Sequence, residues 1–216
     1  MMKREIWMMI FLLAGLGLGL EAQEKGEVSA GADLVSSYVW RGTQYGNGPA
    51  LQPSLEYSIG GFTAGAWGSY STTGDGFMEA DLFVSYGFDA GLSVGVTKYY
   101  FPAADFFDGQ NHAWEINAGF EKGIVSLMGN YILNDGAGAA GSDVYFEAGI
   151  TTGDVYWFAG VGNGWHTPDA EFNLCNAGLT IAKQIQVNEQ FALPIQTSAI
   201  VNPATKAFHL VAGITL

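Results

Sequence analysis

Two residue types are scarce in this chain, and their scarcity excludes several classes of protein. Cys175 is the sole cysteine, so no internal disulfide can form and a disulfide-stapled secreted scaffold is excluded. Lysine and arginine together number 8 against 21 aspartates and glutamates, which leaves a net charge of −13. Nucleic acid is therefore not an expected partner, because too few basic side chains are present to neutralise its phosphates.

Long apolar runs are missing after residue 20. The one such run, 6–20, follows two basic residues and precedes the small residue Ala22. A basic start, a short apolar run and a small residue for cleavage are typical of a signal peptide. A helix needs ~20 apolar residues to cross a bilayer, so this run is too short to be a membrane span. We predict a cleaved signal peptide over 1–22 and a single exported domain over 23–216.

Helical periodicity is lacking throughout the exported domain, and strict alternation takes its place. In residues 50–59, Leu51 and Leu55 share one face while Gln52 and Glu56 share the other. A period of two is the pattern of a β-strand with two unlike faces. Stops rich in Gly, Asn or Asp separate the alternating segments, as strand connections require.

The alternation predicts about twelve strands of the length that a membrane-spanning β-strand needs. They cover 27–41, 50–59, 62–70, 77–88, 92–101, 112–122, 124–133, 143–152, 155–162, 171–182, 191–201 and 206–216. Tight and longer connections alternate, as in outer-membrane barrels with short periplasmic turns and longer outer loops. Alternation continues through 183–190, so we expect the flanking strands to extend there. A ten-stranded barrel with one hairpin misread is the alternative.

The pattern as a whole predicts an all-β fold, a transmembrane antiparallel up-and-down β-barrel in the outer membrane of a Gram-negative bacterium. An even number of strands places both termini on the periplasmic side. A soluble lipocalin-like barrel would point its apolar face inward, and alternation alone does not distinguish the two. The polar residues are mostly small and uncharged, which makes a poor water-facing surface and favours the membrane interpretation.

Aromatic residues lie near both ends of the predicted strands, where the two membrane interfaces would be. Those near the outer rim are Tyr38, Trp40, Tyr70, Tyr99, Tyr100, Trp114, Tyr131, Phe172 and Phe208. Those near the inner rim are Tyr57, Phe62, Tyr86, Phe88, Phe120, Tyr156, Phe158 and Phe191. Aromatics favour strands in general, so this distribution supports a membrane barrel without proving it.

The inward face is predicted to be acidic. Its candidate selectivity residues are Asp33, Glu56, Glu79, Asp81, Glu115 and Glu147, with Arg41 as the clearest inward base. One interpretation is a water-filled passage that favours cations or dipolar solutes over anions. The other is a packed polar interior whose carboxylates are hydrogen-bonded or partly protonated. Twelve strands lie between filled small barrels and open porins, so the strand number leaves both interpretations open.

Catalytic and metal-binding patterns are weak. His112, His166 and His209 have no nucleophile at a local spacing that would suit hydrolysis. No Cys/His spacing suits a metal. The glycine-rich run 136–141 matches a dinucleotide-binding fingerprint in its letters, but it leads into a strand and not into a helix. We therefore expect no enzyme activity, no cofactor and no bound metal.

Several short motifs resemble a known family. In order they are SSYVWRG at 36–42, PALQP at 49–53, GAWGS at 65–69, EAD at 79–81 and KYYFP at 98–102. Together they resemble the TorF-type porin family of bacterial outer-membrane proteins, and the closing stretch 193–216 is similar to versions from Bacteroidota. The resemblance implies an outer-membrane barrel with a transport role. It offers no established catalytic residues to carry over.

The sequence leaves three functions to weigh. The first is passive passage of small cationic or neutral solutes, with outer-membrane lipid, the barrel-assembly machinery during insertion and the solutes themselves as partners. The second is a structural or adhesive barrel with a plugged lumen, whose outer loops 43–48 and 102–111 bind a partner. The third is a lipid-modifying enzyme at the rim that uses His112 or His166.

Overall fold

The structure is a computed structural model that describes residues 25–216. The signal peptide predicted for 1–22 lies outside these residues. The described chain forms one closed antiparallel barrel whose twelve wall strands neighbour each other in chain order. The first wall strand pairs with the last, with Leu34 opposite Ile214. The predicted twelve-stranded up-and-down barrel is confirmed, and the ten-stranded alternative is wrong.

All wall strands except the first agree with the predicted segments to within four residues at each end. They are β1 (Glu27–Val35), β4 (Ala50–Ile59), β5 (Phe62–Ser71), β6 (Met78–Gly87), β7 (Leu92–Tyr100), β8 (His112–Lys122), β9 (Val125–Ile132), β10 (Val144–Thr152), β11 (Val155–Gly162), β12 (Asn173–Gln186), β13 (Ala192–Asn202) and β14 (Ala207–Thr215). Two short strands, β2 (Tyr38–Trp40) and β3 (Thr43–Tyr45), form a separate hairpin. The 3-10 helices are Gly109–Asn111 and Gly164–His166, and no helix within 25–216 is long and apolar enough to span a bilayer.

The two ends of the barrel differ in their connections. The loop end carries the longer connections, 36–49, 72–77, 101–111, 133–143 and 163–172, together with the shorter 203–206. The turn end carries 60–61, 88–91, 123–124, 153–154 and 187–191. Strands β12 and β13 stay paired as far as Gln186 opposite Ala192, which confirms the extension expected around 183–190.

The barrel wall has an apolar outer face and a polar inner one. Leu55 and Leu82 point outward and are more than half exposed, whereas Gln52 and Glu115 point inward and are almost fully buried. Successive side chains of a strand point to opposite faces, and this alternation sorts the residues of the wall, with a shift of register between β11 and β12. A twelve-stranded barrel with this outer surface fits an outer-membrane protein.

The first predicted strand is wrong at its end. The strand ends at Val35 and not at residue 41, and residues 38–45 form the hairpin β2–β3 inside the lumen. Arg41 and Gly42 form its tip, with φ of 48° and 81°, the positive values that a tight two-residue hairpin turn requires. A Cβ on Gly42 would lie 2.0 Å from the carbonyl oxygen of Cys175, so the tip accepts only glycine there.

Part of the predicted aromatic rim is also wrong, because its members face the lumen. Tyr38 and Trp40 belong to the hairpin, and Tyr99, Tyr156 and Phe158 are buried on the inner side of the wall. The reason is strand phase, since the last two flank the exposed Trp157. The aromatic residues that do stand exposed include Tyr57, Phe62, Tyr70, Tyr86, Phe88, Trp114, Tyr131, Phe172, Phe191 and Phe208.

Candidate functional site in the lumen

The hairpin fills the lumen at the loop end. Tyr38 packs with Val35 and other apolar side chains of the wall. Beside it the rings of Trp40, Tyr99 and Trp165 meet edge to face, with centroids 5.5 to 5.7 Å apart. Edge-to-face contacts are a favourable arrangement of aromatic rings, and they bury a large apolar area here. The hairpin is therefore a packed plug in this half of the barrel.

A buried ion pair holds the tip of the hairpin. The Arg41 guanidinium donates from Nη1 to Oε2 of Glu115 at 2.6 Å and from Nη2 to Oε1 at 2.9 Å. Tyr99 and Asn117 donate to Oε1 of the same carboxylate at 2.9 and 2.6 Å. The guanidinium also lies 4.4 Å from the ring centroid of Trp40. A bidentate pair with every oxygen hydrogen-bonded is the arrangement that makes buried charge tolerable.

The backbone of the tip is tied to the opposite wall. The carbonyl oxygen of Gly42 accepts a hydrogen bond from the Asn202 side-chain amide at 3.1 Å. The His209 ring nitrogen Nε2 lies 3.2 Å from the same oxygen. Glu115 is on β8, whereas these two residues are on β13 and β14, so contacts from different sides of the barrel fix the tip.

A second carboxylate lies close to the tip but has no basic partner. Glu147 accepts hydrogen bonds from the hydroxyl groups of Tyr145 and Tyr156, the latter at 3.2 Å, and from the Asn176 side-chain amide at 2.9 Å. The only ion pairs in residues 25–216 join Arg41 to Glu115 and Lys183 to Asp154. Glu147 is therefore a buried carboxylate held by neutral donors alone.

Glycines in the neighbouring strands make room for the tyrosines around Glu147. A Cβ on Gly160 would lie 2.1 Å from the Tyr145 hydroxyl oxygen. A Cβ on Gly149 would lie 2.2 Å from that of Tyr156. Any larger residue at either position would push a phenol away from the carboxylate, so these glycines are part of the site.

A cavity of about 250 Å³ lies beside the hairpin in the lumen. Its polar wall includes Gln52, Thr97, Asn117, Glu147 and Asn176, and its apolar wall includes Val39, Phe158, Ile200 and Val211. Some of these apolar side chains also pack together, since Val39 packs against a buried cluster that contains Phe158 and Ile200. The cavity lining thus combines one carboxylate with several apolar side chains.

The remaining inward carboxyl groups predicted from the sequence lie apart from Glu147. Glu79 and Asp81 are buried, hydrogen-bond to each other and lie near the hydroxyl of Tyr38. Asp33 accepts a hydrogen bond from Thr215 at 2.6 Å. The Oε2 atom of Glu56 has no hydrogen-bond partner within the described chain. The structure thus joins Arg41, Glu115 and Glu147 at the tip of the hairpin and places Glu79 and Asp81 beside Tyr38 of the same hairpin. Asp33 and Glu56 belong to neither group.

The neutral donors of the site were missed by sequence reasoning. Tyr145 and Asn117 could have been found, because each stands two residues from an inward carboxylate and therefore faces the same way. Asn176 could not be placed by phase, since the register shifts opposite Gly160 and Val161 and both Cys175 and Asn176 are buried.

The loop-end histidines are packed among aromatic rings. His166 is buried with ring centroids 5.2 Å from those of Trp40 and Tyr145, and neither of its nitrogens has a hydrogen-bond partner in the described residues. Burial, assisted by the charge of Arg41, lowers the pKa of His166 to about 2, so its ring is neutral near pH 7. His112 stacks on Tyr100, and its Nε2 atom lies 2.6 Å from the Phe106 carbonyl oxygen.

The chain belongs to the Gcw_chp family, whose description is a bacterial protein of unknown function and whose model matches residues 20–196. The matched range contains the hairpin and every inward carboxylate discussed above. No curated protein matches the chain in sequence. The family match does not confirm the TorF-type porin name, which stays a resemblance.

Proposed function

We propose that this Gcw_chp protein is an outer-membrane barrel that passes small cationic or neutral solutes, and that the hairpin β2–β3 is the gate that closes its loop end. The observation that carries the proposal is the hairpin itself, which is held inside a polar lumen by the pair of Arg41 and Glu115. Three lines of support follow, from the outer surface, the lumen charge and the attachment of the hairpin.

The outer surface supports a location in the membrane. Exposed aliphatic side chains cover the middle of the wall, as Leu55 and Ile116 illustrate. Exposed aromatic rings lie toward the turn end at Tyr57 and toward the loop end at Trp114 and Tyr131. An apolar band between two aromatic girdles is the surface of an outer-membrane barrel, with short turns in the periplasm.

The charge of the lumen supports cation selectivity. Glu56, Glu79, Asp81 and Glu147 are buried on the inner face without a basic partner in residues 25–216. Glu79 and Asp81 hydrogen-bond to each other, so this pair shares a proton and contributes one negative charge. Arg41 does not offset them, because Glu115 already neutralises it. A lumen lined by one sign of charge concentrates counter-ions and excludes ions of its own sign.

The attachment of the hairpin supports a gate. Strands β2 and β3 pair only with each other and form no ladder with the wall. Side-chain contacts and the bonds to the Gly42 carbonyl hold them instead. The hairpin can therefore leave the lumen without breaking the barrel, whose twelve strands stay closed around it.

Conductance across planar bilayers tests the gate. Wild-type protein should open rarely, because the hairpin fills the loop end. Arg41→Ala removes the ion pair that holds the tip and should produce frequent, cation-selective openings. Lys183→Ala is the matched control, since it removes an exposed positive charge at the turn end and should behave as wild type. Reversal potentials in a salt gradient measure the selectivity.

Two results would count against the proposal in different ways. A large, constantly open wild-type pore would show that the hairpin is not a gate. If neither wild type nor Arg41→Ala conducts, although heat-modifiable electrophoretic mobility shows that both barrels are folded, the proposed passage of solutes is refuted. The second result would favour a plugged structural barrel.

One observation favours that second candidate, a structural or adhesive barrel. Phe107 in the loop 101–111 is 93% exposed and its neighbour Phe106 is 47% exposed, which is unusual for large apolar side chains in water. The segment 43–48, also predicted as a partner-binding outer loop, is not such a loop, because Thr43–Tyr45 lies in the hairpin. Phe107→Ser should then abolish partner binding and leave permeability unchanged.

A further inference from the structure

We infer that the cavity beside the hairpin is a binding site for a small organic cation, whose charged group binds Glu147 and whose apolar body packs on the apolar side chains of the lining. The inference deepens the proposed function by naming a class of solute, and it rests on that function for the entry of the ligand. Binding itself depends only on the residues that line the cavity.

The charge of the site comes from Glu147. Among the described residues that line the cavity it is the single carboxylate, and its hydrogen-bond donors are all neutral. Arg41 also lines the cavity, but Glu115 holds both of its terminal nitrogens. A buried carboxylate is stabilised far more by a cation than by neutral donors, so the cavity lacks one positive charge.

Aromatic rings suit the charged group as well. Tyr145, Tyr156 and Phe158 all line the cavity, and the last two stack with centroids 5.6 Å apart. One face of Tyr145 is already taken by the Arg41 guanidinium, which lies 4.5 Å from the ring centroid. The face of an aromatic ring attracts cations, and this attraction is strongest in a desolvated site. A carboxylate among aromatic rings is a favourable environment for an ammonium group.

Unsatisfied acceptors form a separate line of evidence. Gln52 and Asn176 line the cavity and are buried, yet the side-chain oxygen of each has no hydrogen-bond partner in residues 25–216. Buried polar atoms in proteins are nearly always paired, and an unpaired one calls for an explanation. A ligand that carries N–H or O–H groups supplies the missing donors.

The apolar wall and the volume restrict the ligand further. Val39, Ile200 and Val211 offer only carbon to the cavity, so a bare metal ion would leave this wall without contacts. A volume of about 250 Å³ falls below the ~300 Å³ at which sites for drug-sized ligands begin. The ligand is therefore a small amine or similar cation with an apolar part.

Calorimetric titration of the detergent-solubilised barrel with n-butylammonium chloride tests the site. Wild-type protein should bind the probe, and Glu147→Gln, which keeps the size and the hydrogen-bond acceptor, should weaken binding by about tenfold or more. Asp154→Asn is the control, because it removes an exposed carboxylate at the turn end, outside both the lumen and the cavity lining. It should leave the affinity unchanged. n-Butanol, with the same body and no charge, should bind more weakly than n-butylammonium.

Several results would overturn the cation site or restrict its ligand. Absence of n-butylammonium binding to folded wild type, or equal binding to wild type and Glu147→Gln, would overturn the site. Full competition by sodium at equal concentration would show a site for inorganic cations and would overturn the assignment to an organic ligand. Binding by a protein that never conducts would refute passage and leave the site standing, whereas conductance without binding would do the reverse.

Discussion

The two halves of the lumen are built on the same strands but filled in different ways. The loop-end half is packed with large side chains from distant segments, including Trp40, Trp165 and the pair of Arg41 and Glu115. The turn-end half is lined by side chains of the wall strands, such as Ser93, Thr63 and Tyr156. Strand alternation thus selects which residues of the wall face inward, while the hairpin adds the side chains that fill the loop end.

The loop end should depend most strongly on the buried pair of Arg41 and Glu115. Glu115→Gln leaves the Arg41 charge buried without its partner, and breaking a buried pair in this way costs about 3–5 kcal/mol. We expect the hairpin to undock, with faster hydrogen exchange at the backbone amides of residues 38–45. The double variant Arg41→Met with Glu115→Gln removes both charges and should recover part of the protection.

A matched change in the other half supplies the control. Thr180→Val removes the neutral hydrogen bond between the hydroxyls of Thr180 and Ser198, 2.8 Å long, and should cost only about 0.5–1.5 kcal/mol. Exchange in residues 38–45 should stay as in wild type. Equal loss of protection in both variants would mean that the two halves are not distinct.

A smaller effect is the loss of loop-end stability at low pH, which depends on His166. Burial lowers the pKa of His166 to about 2 from the ordinary histidine value of 6.5, so the docked loop end holds a neutral ring while an exposed ring binds a proton below about pH 6.5. Stability is therefore full above pH 6.5 and falls as the pH is lowered, by up to about 1.4 kcal/mol per pH unit. His166→Phe should abolish this dependence, measured as hairpin exchange at pH 7 and pH 5. A wild-type hairpin equally protected at both values would contradict the burial of a neutral ring.

The smallest effect lies on the surface of the loop end. Asp75 accepts hydrogen bonds from the backbone amides of Phe77 at 3.0 Å and Asn47 at 2.6 Å, and these and neighbouring hydroxyls lower its pKa to about 2. The stabilisation from the hydrogen bonds of the ionised Asp75 is fully present above pH 3.8, where an ordinary aspartate ionises. It is lost as the pH falls through about 2. Asp75→Asn should make Asn47 exchange faster at pH 6 and remove the acid dependence. Unchanged exchange at the Asn47 amide would show that Asp75 does not protect it.

Most of the wall could be predicted from the sequence, because the alternation of apolar and polar side chains is visible within each strand's own residues. The strands Ala50–Ile59 and His112–Lys122 fall where the alternation puts them. The hairpin could not be predicted in this way, since a strand in the wall and a strand in the lumen alternate alike. Its one local signal is the pair Arg41 and Gly42, which suits a tight turn only when both residues take positive φ.

The candidate site shows the same limit. The inward direction of Glu115 and Glu147 follows from phase, but the partner of Glu115 lies 74 residues away along the chain. No pattern in either segment indicates that contact, which arises only when the barrel brings the two together. The cation site depends on Glu115 having a basic partner and Glu147 having none. Only the closed fold determines this difference.

The bare tip of the hairpin has a consequence for the order of assembly. Gly42 rests against the backbone at Cys175, and its carbonyl is held by Asn202 and by His209, which follows 167 residues later. The bonds to Asn202 and His209 need β13 and β14 in the wall, so they can form only once those last two strands are in place. The hydrogen bonds to the backbone of the tip therefore link the hairpin to the closure of the barrel.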